Sequence, residues 1–228
     1  VHGAKDFLVA GRSLPLYMNV ATVFATWFGA ETVLSVSATF AKDGLNGIPG
    51  DPFGASVCLV IAALLFAKLF YRMNLLTIGD FYKQRYGKAV EVLTSVAIVL
   101  SYLGWTSAQM TALGLVIATL SGGAIELNTA ILIGAGVVMI YTIFGGMWSV
   151  AFTDLFQTIV ILIGLTLVAW LVGDMAGGAG KVISQAAADG KLVMFPADMD
   201  GAAWWAMAGA FFAFAFGSVP QQDVFQRM

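Results

Sequence analysis

The stretch Asn19-Val20-Ala21-Thr22-Val23-Phe24-Ala25-Thr26-Trp27-Phe28-Gly29-Ala30-Glu31-Thr32-Val33-Leu34-Ser35 decides the fold. Its first part lies within a run, residues 13–30, that carries no charge. A lipid-facing helix has no use for Asn19, Thr22, Thr26, Glu31, Thr32 and Ser35. An ionisable group inside a membrane is costly and marks a solute or ion pathway. Glycine beside polar neighbours in mid-span is the pattern of a broken transporter helix. The pattern places a break at Gly29 and Glu31. Unwinding there frees backbone carbonyls, which is tolerated only where they line a cavity. A continuous helix with Glu31 hydrogen-bonded to a neighbour is the other reading.

The rest of the chain supports a membrane setting. Of 228 residues, 60% are hydrophobic and 11% charged, and the mean hydropathy is +0.89. Soluble domains carry roughly 45–50% apolar and about 25% charged residues. This composition excludes a soluble enzyme domain, a disordered chain and a nucleic-acid binder. An outer-membrane barrel would alternate apolar and polar residues, and this chain does not. One cysteine, Cys58, excludes a disulfide framework and a multi-cysteine metal site. No nucleophile–base set or metal cluster points to an enzyme.

Further uncharged runs cover residues 52–67, 92–125, 127–153, 155–173 and 201–222. A membrane helix takes about 20 apolar residues. Six spans follow, near 14–41, 47–71, 90–120, 128–147, 150–172 and 202–222, with Gly145-Gly146 as a tight turn between the fourth and fifth. The fold class is therefore all-α, a polytopic membrane helix bundle. Alternate loops then separate Lys5, Arg12, Lys68, Arg72, Lys83, Arg85, Lys88 and Arg227 from Lys42, Lys181 and Lys191. The basic side is expected to be cytoplasmic. The segment 173–201 is expected to be an extracellular loop with a small helix near Val182–Ala188. The chain begins in a polar segment and stops just after a span, so a fragment of a longer membrane protein is expected.

Two other carboxylates lie at membrane depth. Asp154 reads either as a helix-start acid favoured by the dipole or as a carboxylate on an ion path. Asp51, between Gly50 and Pro52, reads as a cap or as part of a site. Trp27 reads as a cation–π wall for a solute or as a packing residue. Trp204 and Trp205 suit an interfacial aromatic belt.

Four stretches carry a resemblance. Asp6-Phe7-Leu8-Val9-Ala10-Gly11-Arg12-Ser13-Leu14-Pro15 is similar to the opening of the first core helix in the sodium:solute symporter family. Thr77-Ile78-Gly79-Asp80-Phe81 with Arg85-Tyr86-Gly87 resembles its loop after the second helix. Gly145-Gly146 through Thr153-Asp154 and Gln157 resembles its fourth-to-fifth helix signature. Gln221-Gln222-Asp223-Val224-Phe225-Gln226-Arg227 resembles the end of its sixth helix. Ala25-Thr26-Trp27-Phe28-Gly29 and Phe66-Ala67-Lys68 are most similar to the high-affinity choline transporter branch.

The resemblance implies a leucine-transporter-like fold of two inverted five-helix repeats. Residues 1–172 would form the first repeat and residues 202–228 the first helix of the second. It implies a co-transported sodium ion held by backbone carbonyls near Ala25 and Phe28, with Asp154 at a sodium-release or second-sodium position. Thr32 and Asp51 match solute-contacting positions of sugar-transporting members. Phe214, Gly217 and Ser218 fall where those members contact sugar, with different residue types. Trp27 matches a tryptophan of the choline branch, whereas Gln221 replaces another. The implied function is sodium-coupled symport of a small polar organic solute across the cytoplasmic membrane, multi-pass in the lipid bilayer. The alternative is a transporter-like solute sensor. No nucleic-acid partner is expected, and the sequence leaves the oligomeric state and the solute open.

Overall fold

The computed structural model describes residues 3–219 and 221–227. Helix α1 (Ala4–Val9) leads through a turn into α2 (Leu16–Trp27). A π-helical turn, Glu31–Val36, then runs into α3 (Ser37–Asp43). Helix α4 spans Pro49–Met73 and α5 is the short Ile78–Tyr86. Two long helices follow, α6 (Lys88–Leu120) and α7 (Leu127–Met175). The chain ends with α8 (Ala179–Ala188), α9 (Gly201–Gly217) and α10 (Gln222–Gln226). No strand occurs among the described residues.

Four stretches are long and apolar enough to cross a membrane: α4, α6, α7 and the α9–α10 run Gly201–Gln226. The stretches Ala4–Arg12 and Leu16–Trp27, bent by 109° relative to each other, are long and apolar enough only when taken together. This differs from six separate spans for two physical reasons. The first span is interrupted after Trp27, so neither piece crosses alone. The fourth and fifth form one helical run of 49 residues. A straight helix of that length would reach roughly 74 Å, more than twice a hydrocarbon core of about 30 Å. Gly146 breaks it, with φ 55° and ψ −147°. Tyr141 and Asp154, on opposite sides of that break, line one cavity.

Gly146 is required twice over. Only glycine adopts this backbone conformation readily. A Cβ there would also stand 2.8 Å from the Phe7 ring and carbonyl oxygen. The backbone of α1 therefore fills the break in α7.

The two ends of the bundle are fastened differently. At one end, the Arg12 guanidinium donates to the carbonyls of Tyr71 (2.7 Å) and Leu75 (2.8 Å). Beside it Phe70, Leu75, Ile78 and Phe225 form a buried cluster. The Thr77–Asp80 stretch is a capping box. The Asp80 N–H donates to Thr77 Oγ1 at 3.2 Å and the Thr77 N–H donates to Asp80 Oδ2 at 2.9 Å, which satisfies donors that the start of α5 leaves open. At the other end, the segment after α8 straps the outer end of α3. The Leu45 N–H donates to Lys191 O at 2.8 Å, and Asn46 Nδ2 donates to Met194 O at 3.0 Å. The Lys191 ammonium donates to the Lys42 carbonyl. Arg12 and Arg227 thus lie at one end of the bundle, and Lys42 and Lys191 at the other.

Small residues fill the helix contacts: Ala21, Ala55, Cys58, Ala62, Ala130, Ala151 and Ala215 are all buried. Large apolar side chains such as Leu64, Leu93 and Phe144 point outward. This inversion is what lipid permits, because hydrocarbon is as apolar as leucine and helices associate through close packing of small residues. The chain is an integral, multi-pass membrane protein.

Candidate functional site

The site begins with the interrupted first span. The last α-helical bond of α2 is from Phe28 N to Phe24 O, at 2.8 Å. Phe28 itself turns out of the helix, with φ −93° and ψ 74°. Side chains take up the interruption. Gln109 Oε1 on α6 accepts from the Ala30 N–H at 3.3 Å. The Thr32 hydroxyl donates to Asp51 Oδ2 at 2.7 Å and also approaches Trp27 O at 3.4 Å. Thr32 and Asp51 are 19 residues apart in sequence, so this bond joins the broken span to the start of α4.

A cavity of about 210 Å³ opens against the break. Trp27, Glu31, Thr32 and Asp51 border it from the first span and α4. Ser101, Tyr102 and Trp105 border it from α6; Phe214, Ser218, Gln221 and Asp223 border it from the interrupted sixth span. Tyr102 and Trp105 meet edge to face, with centroids 6.1 Å apart at 90°. Among the described residues the wall therefore combines four large aromatic residues with three carboxylates, and it contains no lysine or arginine. Helix α9 approaches closely because α4 is bare there: a Cβ on Gly54 would stand 2.6 Å from the Phe211 carbonyl oxygen.

A second cavity, about 690 Å³, lies toward the Arg227 end. Asp154 borders it, with Ala25, Gly29, Tyr141, Gln226 and Arg227. Asp154 sits two turns beyond Gly146, and one carboxylate oxygen is buried without a hydrogen-bond partner. A helix-dipole effect falls off within the first turn, so that account does not fit its position. The Arg227 Nε is likewise buried and unpartnered, while Nη1 donates to Asp223 O at 3.0 Å.

The residues expected from sequence are thus distributed over several places. Trp27, Glu31, Thr32, Asp51, Phe214 and Ser218 meet at the first cavity. Gly29, Ala25 and Asp154 border the second. Phe28 faces a separate groove with Ile161 and Gly164. Gly217 borders none of these cavities, and a Cβ there would meet nothing within 4 Å. Tyr102, Trp105 and Asp223 were not expected at the site. The signal for the first two was present: Ser101-Tyr102-Leu103-Gly104-Trp105-Thr106-Ser107 is a polar, glycine-containing run inside an uncharged span, like the run that marks the first span.

A multi-pass helix bundle with a cavity at a broken membrane helix is the architecture of a secondary transporter. The chain belongs to the sodium:solute symporter family, whose model matches residues 7–228. It is 29% identical over 228 residues to the high-affinity choline transporter 1 of Caenorhabditis elegans, covering 98% of this chain and 37% of that protein. Its identity to the human high affinity choline transporter 1 is 27% over 229 residues, covering 99% and 38%. The mouse sodium/glucose cotransporter 1 is 26% identical over 173 residues, covering 75% and 26%. The chain thus spans little more than a third of the length of the choline transporters it matches.

Proposed function

We propose that the protein to which this chain belongs is a sodium-coupled symporter that imports a small organic cation of the choline type. The observation that carries the reading is the composition of the cavity wall. Trp27, Tyr102 and Trp105 offer ring faces, and Glu31, Asp51 and Asp223 offer negative charge. A cation over an aromatic face gains about 0.5–2 kcal/mol, most when desolvated. An anionic solute would find no lysine or arginine here. The choline transporters among the relatives point the same way.

In this reading the carbonyls of Ala25 and Phe28 help hold sodium at the break, and Asp154 receives the ion on its way out. Residues 1–172 act as the first five-helix repeat and 202–228 open the second. The basic end faces the cytoplasm, and the membrane is the cytoplasmic membrane. Each charge crossing 100 mV contributes about 2.3 kcal/mol, so sodium and a cationic solute both move down the potential. Sodium favours the outward-open state by binding it more tightly, the only way a ligand shifts such an equilibrium. The protein is a transporter rather than an enzyme. No observation favours the solute-sensor alternative.

The test is uptake by the intact protein in proteoliposomes, using labelled choline, betaine, proline and lactate. Sodium-driven accumulation of choline is expected, with its apparent affinity lowered roughly tenfold by Trp27→Ala. Accumulation of lactate in place of choline, or uptake indifferent to sodium, would overturn the reading.

A further inference from the structure

The three carboxylates at the solute cavity are not equivalent. Asp51 Oδ2 accepts from the Thr32 hydroxyl at 2.7 Å, which ties the resumed first span to α4. Asp223 Oδ1 accepts from the Tyr102 hydroxyl at 2.6 Å, and that hydroxyl accepts in turn from the Asp223 N–H at 3.1 Å. Each of these two carboxylates therefore has an oxygen engaged in joining one element to another. Glu31 differs. Its side chain borders the same cavity and is exposed. Among the described residues no side-chain hydrogen bond or ion pair holds it; the ion pair found there joins Lys88 to Glu91.

An acid in the first turn of a helix is ordinary, because the dipole favours it, and Glu31 does open the helical turn that resumes after the break. That accounts for a tolerated charge. It does not account for a carboxylate without a counter-ion beside a cavity in a membrane span, where ionisable groups pair with one another or serve a solute path. The missing partner is positive, and among the described residues the cavity wall supplies no lysine or arginine.

We propose that Glu31 is the residue that selects for positive charge in the solute, acting as the counter-ion of the bound cation, while Asp51 and Asp223 position the walls. The proposal rests on the reading of the protein as a carrier of a choline-type cation and narrows it. A solute that approaches Asp51 or Asp223 competes with a hydrogen bond between two elements; at Glu31 it displaces water alone. The ring faces of Trp27, Tyr102 and Trp105 attract a cation, but they also accept a neutral solute of the same shape. A carboxylate makes that distinction sharply. One unengaged carboxylate matches one positive charge. A zwitterion would bring a carboxylate of its own to a wall that offers it no cation. The solute class is therefore a monovalent cation without an acidic group.

The test compares choline with 3,3-dimethylbutan-1-ol, which has the same shape with carbon in place of the charged nitrogen. Displacement of labelled choline from the intact purified protein, in sodium, gives the ratio of the two affinities. The parent is expected to favour choline roughly a hundredfold. Glu31→Gln keeps the size and polarity of the side chain and removes its charge, and is expected to lower that ratio roughly tenfold. Glu31→Asp keeps the charge and is expected to hold the ratio within about threefold of the parent. Asp51→Asn and Asp223→Asn loosen the walls and are expected to weaken both ligands together, with the ratio again within about threefold. An unchanged ratio in Glu31→Gln, or an equal fall in Asp51→Asn or Asp223→Asn, would overturn the assignment and leave the transport reading standing. Failure of the parent to bind choline would overturn the solute reading and the assignment with it. The expected ratios without sodium-driven choline uptake would overturn the transport reading alone.

Discussion

The breaks at Phe28–Gly29 and at Gly146 both interrupt helical runs and both contain glycine, yet they do opposite things. At Gly146 the gap is filled by protein: the backbone of Phe7 lies where a side chain would be. At Phe28–Gly29 the gap is served by side chains from other helices, Gln109 and Asp51, and stays open to a cavity. A filled break reverses the chain. An open break leaves polar groups facing space, which in a membrane is tolerated only for a ligand or water. The difference lies in what packs against the break, not in the break itself.

Substitutions at the two breaks separate these roles. Gly146→Ala places a Cβ at positive φ and into the Phe7 backbone. It is expected to cost more than about 3 kcal/mol, read as loss of a monodisperse species in detergent and a large fall in melting temperature. Retention of wild-type stability would mean that α1 does not fill the break. Thr32→Val removes the bond to Asp51 and leaves that carboxylate in a polar cavity. Transport is expected to fall roughly tenfold, as suits a hydrogen bond to a charged group, with melting shifted by only a few degrees. A variant that transports normally would detach Thr32 from the site. Gly29→Ala meets only the flexible end of Gln109, at 3.3 Å, and its φ is not positive. A change below about 1 kcal/mol in stability is expected; a collapse like that of Gly146→Ala would erase the distinction between the breaks. Gly217→Ala meets open space and is expected to leave both stability and apparent solute affinity unchanged within about twofold. A clear loss of affinity would return Gly217 to the solute site.

The comparison also shows what a sequence can carry. An interruption in the first span was legible because hydroxyls, glycine and a carboxylate inside an uncharged run have no other economical use. The Gly145-Gly146 turn was legible from its chemistry. The roles of neighbours were not. Ser218 borders the cavity and Gly217 does not, and nothing in a uniformly apolar helix fixes which residue faces inward. Tyr102 and Trp105 lie on a helix of 33 residues with polar groups on several faces, so only tertiary packing selects the face. The helix-start reading of Asp154 was open beside the ion-path reading because the start of that helix was placed a few residues late. The strap at Lys191 and Asn46 depends on backbone groups, which leave no pattern in side chains.

The central claim is coupling between sodium and a cationic solute. Its most direct measurement is equilibrium binding of labelled choline to the intact purified protein across a sodium titration, with potassium holding ionic strength constant. Binding reciprocity requires that a coupled sodium ion tighten choline, and coupling of about 1–3 kcal/mol is typical. An affinity at least roughly fivefold higher in saturating sodium than in potassium is expected. Equal affinity in the two salts would contradict it.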